Sequence, residues 1–122
     1  MKDRETELVI SITKRFIDEV LELEPDFEKC FFRFYAEDRV SESCASYVSP
    51  SEVVIVDAMS QEDFFDEMDD MCMKLLTEMG KDKAVLLLVI DKEFDYEITF
   101  EYSDMAKWQI SLADGGIGIP AI

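Results

Sequence analysis

Between Asp57 and Asp70 the chain carries seven acids and no base. Carboxylates at that density could hold a cation, or divide into a general acid and a general base. A calcium loop of the EF-hand type sets its oxygens at alternate positions around a central glycine. Here the acids fall on a helical pattern that no glycine interrupts. The nearest pairs, Asp63 with Glu67 and Asp66 with Asp70, are four residues apart and therefore neighbours on one helix face. A glycosidase-type pair flanks a cleft, and exposed neighbours on one helix lack the burial that raises a carboxyl pKa. The stretch reads as a solvated charged face, with no metal ligand, catalytic residue or cofactor-binding residue assigned.

The remaining inventory points the same way. There is no histidine, so the commonest general base and zinc ligand is missing. Cys30, Cys44 and Cys72 are widely spaced, form no CxxC pair, and read as reduced, mostly buried small hydrophobes. No glycine-rich phosphate loop, GxSxG elbow or Cys–His pair occurs. An enzyme with a small acidic site for a cationic substrate ranks third among the functional readings.

Composition bounds the partners. The 122 residues suit one domain, 1–122. Twenty-nine acids face twelve bases, a formal net charge of -17. Such a surface cannot neutralise a phosphate backbone, which argues against nucleic acid and equally against anionic membrane. It favours a basic protein partner, with solubility alone as the plain alternative. The longest apolar run, Ala84 to Ile90, is too short to span a bilayer. Met1-Lys2-Asp3-Arg4-Glu5 leads into an amphipathic pattern and not a signal peptide, so a cytoplasmic location is expected.

The elements that must carry these residues follow from periodicity. Leu8, Val9, Ile12, Phe16, Val20 and Leu23 recur at helical steps and predict a helix over 6–24, ended by Pro25. Ile10, Ile17 and Leu21 widen its apolar arc to more than half the helix. Residues 27–35 read as an aromatic strand, with Cys30, Phe32 and Phe34 on one face and Lys29, Phe31, Arg33 and Tyr35 on the other. A turn at 37–39 leads to a weaker strand at 43–48, and Ser49-Pro50-Ser51 to a short strand at 52–56. A second helix spans 60–79, with Ser60 as N-cap, Asp63 in the capping-box position and Gly80 at C′. Residues 83–90 form a continuous apolar strand. Residues 94–102 alternate, with Phe94, Tyr96, Ile98, Phe100 and Tyr102 opposite Asp95, Glu97, Thr99 and Glu101, so 83–102 is a hairpin. The tail around Trp108 reads as irregular. The order α-β-β-β-α-β-β predicts an α+β domain, an antiparallel sheet carrying two main helices.

One physical clue sits on the second helix. Glu62 with Asp66, Asp63 with Glu67, and Asp66 with Asp70 are like-charge i,i+4 pairs, each costing the helix roughly 0.2–0.5 kcal/mol. Met73 lies on the same outward arc as Asp66 and Asp70. An adaptable apolar side chain among acids suits an interface, so Asp63, Asp66, Asp70 and Met73 are the candidate partner-binding residues, with Glu97 and Glu101 as a second patch. The runner-up is a non-catalytic adaptor or self-assembling domain using Ile10, Ile17 and Leu21, which leaves a homodimer open.

The layout resembles the YezG-like family of bacterial immunity proteins. The resemblance lies in the N-terminal helix, the three-stranded segment, the central acidic helix and the hairpin. Its most telling piece is Asp91-Lys92-Glu93-Phe94-Asp95-Tyr96-Glu97-Ile98-Thr99-Phe100-Glu101-Tyr102, followed by Trp108 and Gly118-Ile119-Pro120. It covers roughly residues 4–120. The tail differs in one respect: the basic residues usual around the tryptophan are reduced to Lys107. The resemblance implies an antitoxin that binds and neutralises a cognate toxin, often a nuclease. Acidity fits such a partner, since nucleases present basic clefts.

Overall fold

The computed structural model describes residues 3–38, 40–111 and 116–121. Its elements are α1 (Asp3–Leu23), β1 (Lys29–Glu37), β2 (Val40–Val48), β3 (Val53–Ile55), α2 (Glu62–Glu78), β4 (Lys83–Asp91) and β5 (Tyr96–Glu101). The fold is α+β, with one antiparallel sheet in the order β3-β2-β1-β4-β5 and two helices. None of the helices is long and apolar enough to cross a membrane.

Both helices cover the same face of the sheet. The stripe Leu8, Val9, Ile12, Phe16 and Val20 of α1 packs with Phe64, Phe65, Met68, Cys72, Leu75 and Leu76 of α2 against Cys30, Phe32, Phe34, Leu86, Leu88 and Ile90. Phe16, Phe32 and Phe64 form a triangle of rings with centroids 5.7–6.1 Å apart, spacings that favour edge-to-face and offset contacts. The helices are antiparallel, as two cross-links show: Arg4 reaches Glu78 at 4.0 Å and Arg15 reaches Glu67 at 2.9 Å. Ile17 and Leu21 pack against this core, whereas Ile10 stays exposed.

The opposite face is also buried, which the sequence reading did not assign. Phe31, Arg33, Val85 and Leu87 are all nearly inaccessible. The irregular tail lies over them, with Trp108 and Met105 packed on Val85, Leu87, Val89 and Tyr35. Arg33 fastens this cover. Its Nε donates to the Lys107 carbonyl at 2.8 Å and a terminal nitrogen donates to the Met105 carbonyl at 2.7 Å. Burial pulls the Arg33 guanidinium pKa down, opposed chiefly by Glu42 at 3.8 Å. Further along, the Ser46 hydroxyl donates to the Gly118 carbonyl at 2.6 Å. Cys44 and Ser46 are small enough to let that backbone approach.

Local chemistry explains where elements begin and end. The predicted weak strand is nine residues long, because every position of β2 pairs with β1 across a hairpin turned at Asp38, whose φ of 48° an aspartate tolerates. Ser60 is not the N-cap. Asp57 captures it instead, accepting from the Ser60 hydroxyl at 2.8 Å, and α2 starts behind Gln61, which makes no side-chain cap. The other end of α2 follows the expectation. Gly80 has φ 73°, and the N–H groups of Gly80 and Lys81 bond the carbonyls of Thr77 and Leu76, the two bonds of a Schellman motif.

Candidate functional site

The capping and packing of α2 decide which acids face water. Its apolar stripe is turned onto the sheet, so Asp63, Asp66, Asp70 and Met73 project outward and are exposed. Three of the acids on this helix have cations, Glu78 with Arg4 of α1 at 4.0 Å being the first. Asp70 pairs with Lys74 one turn on at 2.9 Å, and Glu67 pairs with Arg15 of α1 at 2.9 Å. Arg15 also donates to Glu19 at 2.9 Å and lies over the Phe64 ring, so it knits α1 to α2. Among the described residues, Glu62, Asp63 and Asp66 have no ion-pair partner. Asp63 lines an open hollow between the helices with Arg15, Glu19 and Met59. Met73 lines another with Asp38, Thr77, Lys81 and Asp82.

Asp69 is a residue the sequence reading passed over. It sits three positions before Cys72 and four after Phe65, on the flank of the buried stripe, and is only partly exposed. Burial raises its carboxyl pKa, helped by Asp66 and opposed by Ser43. Its Oδ1 is buried with no hydrogen-bond partner among the described residues. Counting positions from Phe65 would have found it, because i+4 places it on the same helix face as that buried residue.

The second patch is not continuous with the first. Glu97 and Glu101 stand opposite Val89 and Val85 in the ladder, and cross-strand partners share a face. They therefore lie on the tail side of the sheet, with α2 on the other. Glu97 is exposed and borders an open hollow of about 360 Å³ with Lys29, Asp91 and Asp95. Glu101 is already occupied. Its carboxylate accepts from the Ser103 and Asp104 N–H groups at 3.0 and 3.2 Å and from Lys107 Nζ at 3.1 Å. These contacts, the backbone ones foremost, lower its pKa to about 2. Glu101 thus shapes the turn that starts the tail.

As for cations, among the described residues Asp91, Glu93 and Asp95 in the β4–β5 turn bring carboxylate oxygens within 4.8 Å of one another. Asp91 Oδ1 there accepts from the Glu93 and Asp95 N–H groups at 2.9 and 3.1 Å, so one member of the group also holds the turn. All three thiols are free: Cys30 and Cys72 are buried and Cys44 is half-buried. The arrangement offers unpaired carboxylates on the first turns of α2 and an exposed methionine about two turns further along the same outer face, a surface suited to attract cationic groups. Comparison of the chain with protein-family models and with curated proteins finds no match.

Proposed function

We propose that this chain is a non-catalytic binding protein for a basic protein partner, acting as an immunity protein that neutralises a toxin domain of the nuclease type. The observation that carries the reading is the outer face of α2. It keeps Glu62, Asp63 and Asp66 exposed and, among the described residues, without an ion-pair partner, while the nearby Arg15 and Lys74 are engaged with Glu67 and Asp70. Arg15, Lys74 and the N-terminal helix dipole relieve the like charge in part, Asp66 keeps like-charged neighbours one turn away on either side, and a basic partner would supply further counter-charge. Met73, two turns from Asp66, gives the same face an adaptable apolar contact. The resemblance of layout to YezG-like immunity proteins supports the same role. The alternative contact surface on α1 is weakened by packing, because Ile17 and Leu21 lean on the core and only Ile10 stands free.

The test begins with the neighbouring gene, which on this reading encodes a large protein with a basic C-terminal domain. That domain should bind the chain and lose its activity at stoichiometric addition. Reversing Asp66 and Asp70 to Lys takes the net charge from -17 to -13, two charges per reversal. It should slow association about tenfold at low salt and flatten the salt dependence. Met73→Asp should mainly speed dissociation. A basic domain whose activity is untouched by the chain, or an unchanged association rate in the reversed variant together with an unchanged dissociation rate in Met73→Asp, would overturn the reading.

A further inference from the structure

The free edge of β5 exposes binding chemistry of a different kind. The Asp91 N–H donates to the Asp95 carbonyl at 3.0 Å, which marks these two as a hydrogen-bonded pair. Antiparallel pairing alternates, so Val89–Glu97, Leu87–Thr99 and Val85–Glu101 are hydrogen-bonded pairs too. The N–H and C=O groups of Tyr96, Ile98 and Phe100 are then turned away from β4. Among the described residues nothing bonds them. The other edge, β3, is three residues long and follows Pro50, whereas β5 is six residues long with unbroken register and no proline. Short length, bulges, proline and charge are the usual protections of an edge; of these β5 has only charge, the acids Glu97 and Glu101, which repel another acidic strand and admit a basic one.

Its side chains say what would pair there. On the helix side Tyr96 and Tyr102 are exposed, flanking the half-buried Ile98 and Phe100. On the tail side Glu97 and Thr99 are exposed, beside Asp95 of the turn. We propose that β5 takes up one extended segment of a basic partner as a sixth strand, a segment whose side chains alternate apolar with Lys or Arg. The apolar set would lie against Tyr96, Ile98 and Phe100, and the cations against Asp95 and Glu97. Backbone pairing gives such a contact its affinity and the alternate side chains its selectivity. A second copy of this chain is the wrong occupant. Self-pairing centred on Ile98 sets Asp95 against Glu101, and self-pairing centred on Thr99 sets Glu97 against Glu101. Both place acid on acid between two chains of net charge -17. The proposal rests on the reading of the chain as a binder of basic protein and gives that reading a second surface, at the open β5 edge of the sheet.

The probe is a capped peptide of about nine residues alternating lysine and valine, long enough to span a strand. It is titrated into the isotope-labelled full chain while amide hydrogen exchange is followed residue by residue. Exchange at Tyr96, Ile98 and Phe100 should slow. Affinity should fall about tenfold between roughly 50 and 500 mM salt. Tyr96→Pro removes one outward N–H at the first residue of the strand, where proline is tolerated, and should weaken the peptide about fivefold with the far-UV spectrum unchanged. Glu97→Lys should weaken it as well and admit a peptide alternating glutamate and valine. Protection confined to α2, equal binding of both peptides to the unaltered chain, or edge protection that rises with the chain's own concentration would each overturn the proposal. A silent β5 edge combined with intact association of a basic toxin domain at α2 removes this proposal alone.

Discussion

Removing the guanidinium of Arg33 should detach the tail from the sheet while leaving the helical face intact. Arg33 is 4% exposed and makes two hydrogen bonds to main-chain carbonyls, at 2.8 and 2.7 Å. Hydrogen bonds to a charged group are worth roughly 1.5–3 kcal/mol each. Two of them give an upper bound of roughly 3–6 kcal/mol, from which the saved desolvation of the cation must be subtracted. An expected loss of roughly 2–4 kcal/mol remains, a large part of the 5–15 kcal/mol typical of a domain. With a urea slope of about 1–3 kcal/mol per molar, the midpoint should fall by roughly 1–2 M. Arg33→Met keeps most of the apolar stem and removes every donor, so it isolates the hydrogen bonds; Arg33→Ala adds the packing loss. Arg33→Lys should behave nearly like Met, because a single ammonium cannot span both the Met105 and Lys107 carbonyls as the fork does. The readout is built in: Trp108 is the chain's one tryptophan and is buried under this tail. Its emission should move to longer wavelength in all three variants under native conditions, with far-UV circular dichroism unchanged. A Met variant with the wild-type midpoint and unshifted emission would refute the assignment of Arg33 as the clamp.

Two further outcomes follow from the same side of the sheet and from the thiols. Glu101 has a pKa lowered from 4.5 to about 2 in the folded chain, so its contribution to stability is present above 4.5 and is lost as pH falls through 2. Urea midpoints taken across that window should show Glu101→Gln losing this part of the pH dependence; a profile parallel to the unaltered chain would contradict it. Burial pushes the thiols of Cys30 and Cys72 upward, and the half-buried Cys44 lies under the tail with its Sγ 3.6 Å from the Ile110 carbonyl. A thiol reagent should therefore modify Cys44 first and the other two only on unfolding, and Arg33→Met should speed the Cys44 reaction; modification of Cys72 as fast as Cys44 would contradict this order.

What could be read ahead of the structure was what repeats. Helical spacing located both helices and their inner faces. Twofold alternation located β5, and Gly80 marked the end of α2 because only its φ of 73° made the turn easy. Ser60 misled because a local rule was applied without its competitor: Asp57 lies within reach of the same hydroxyl. The cover on the second sheet face depended on contacts 72 and 74 residues apart in sequence, which no short window contains. A signal for it did exist. The run Ala84 to Ile90 and the aromatics of β1 are apolar on both faces, and a strand of that kind must be covered twice. Once both helices are assigned to one face, the tail with Trp108 and Ile110 is the apolar segment left to cover the other.

The same reasoning separates the two acidic patches, which alternation alone could not do. Alternation placed Glu97 and Glu101 together, but only pairing with Val89 and Val85 shows that they face away from α2. Glu101 is then consumed by Ser103, Asp104 and Lys107, while Glu97 stays free beside an open strand edge. On α2, cations have settled on Glu67, Asp70 and Glu78, and Glu62, Asp63 and Asp66 remain without an ion pair among the described residues. On the strand, Asp95 and Glu97 flank the exposed Tyr96 and have no ion-pair partner among the described residues; on the helix, the unpaired acids stand about two turns or more before Met73, whose near neighbour Asp70 is paired with Lys74. On the proposed reading the two surfaces divide the work of binding differently: on the strand, charge and apolar contact lie side by side, and on the helix the charge that brings a basic partner in stands apart from the methionine that would hold it.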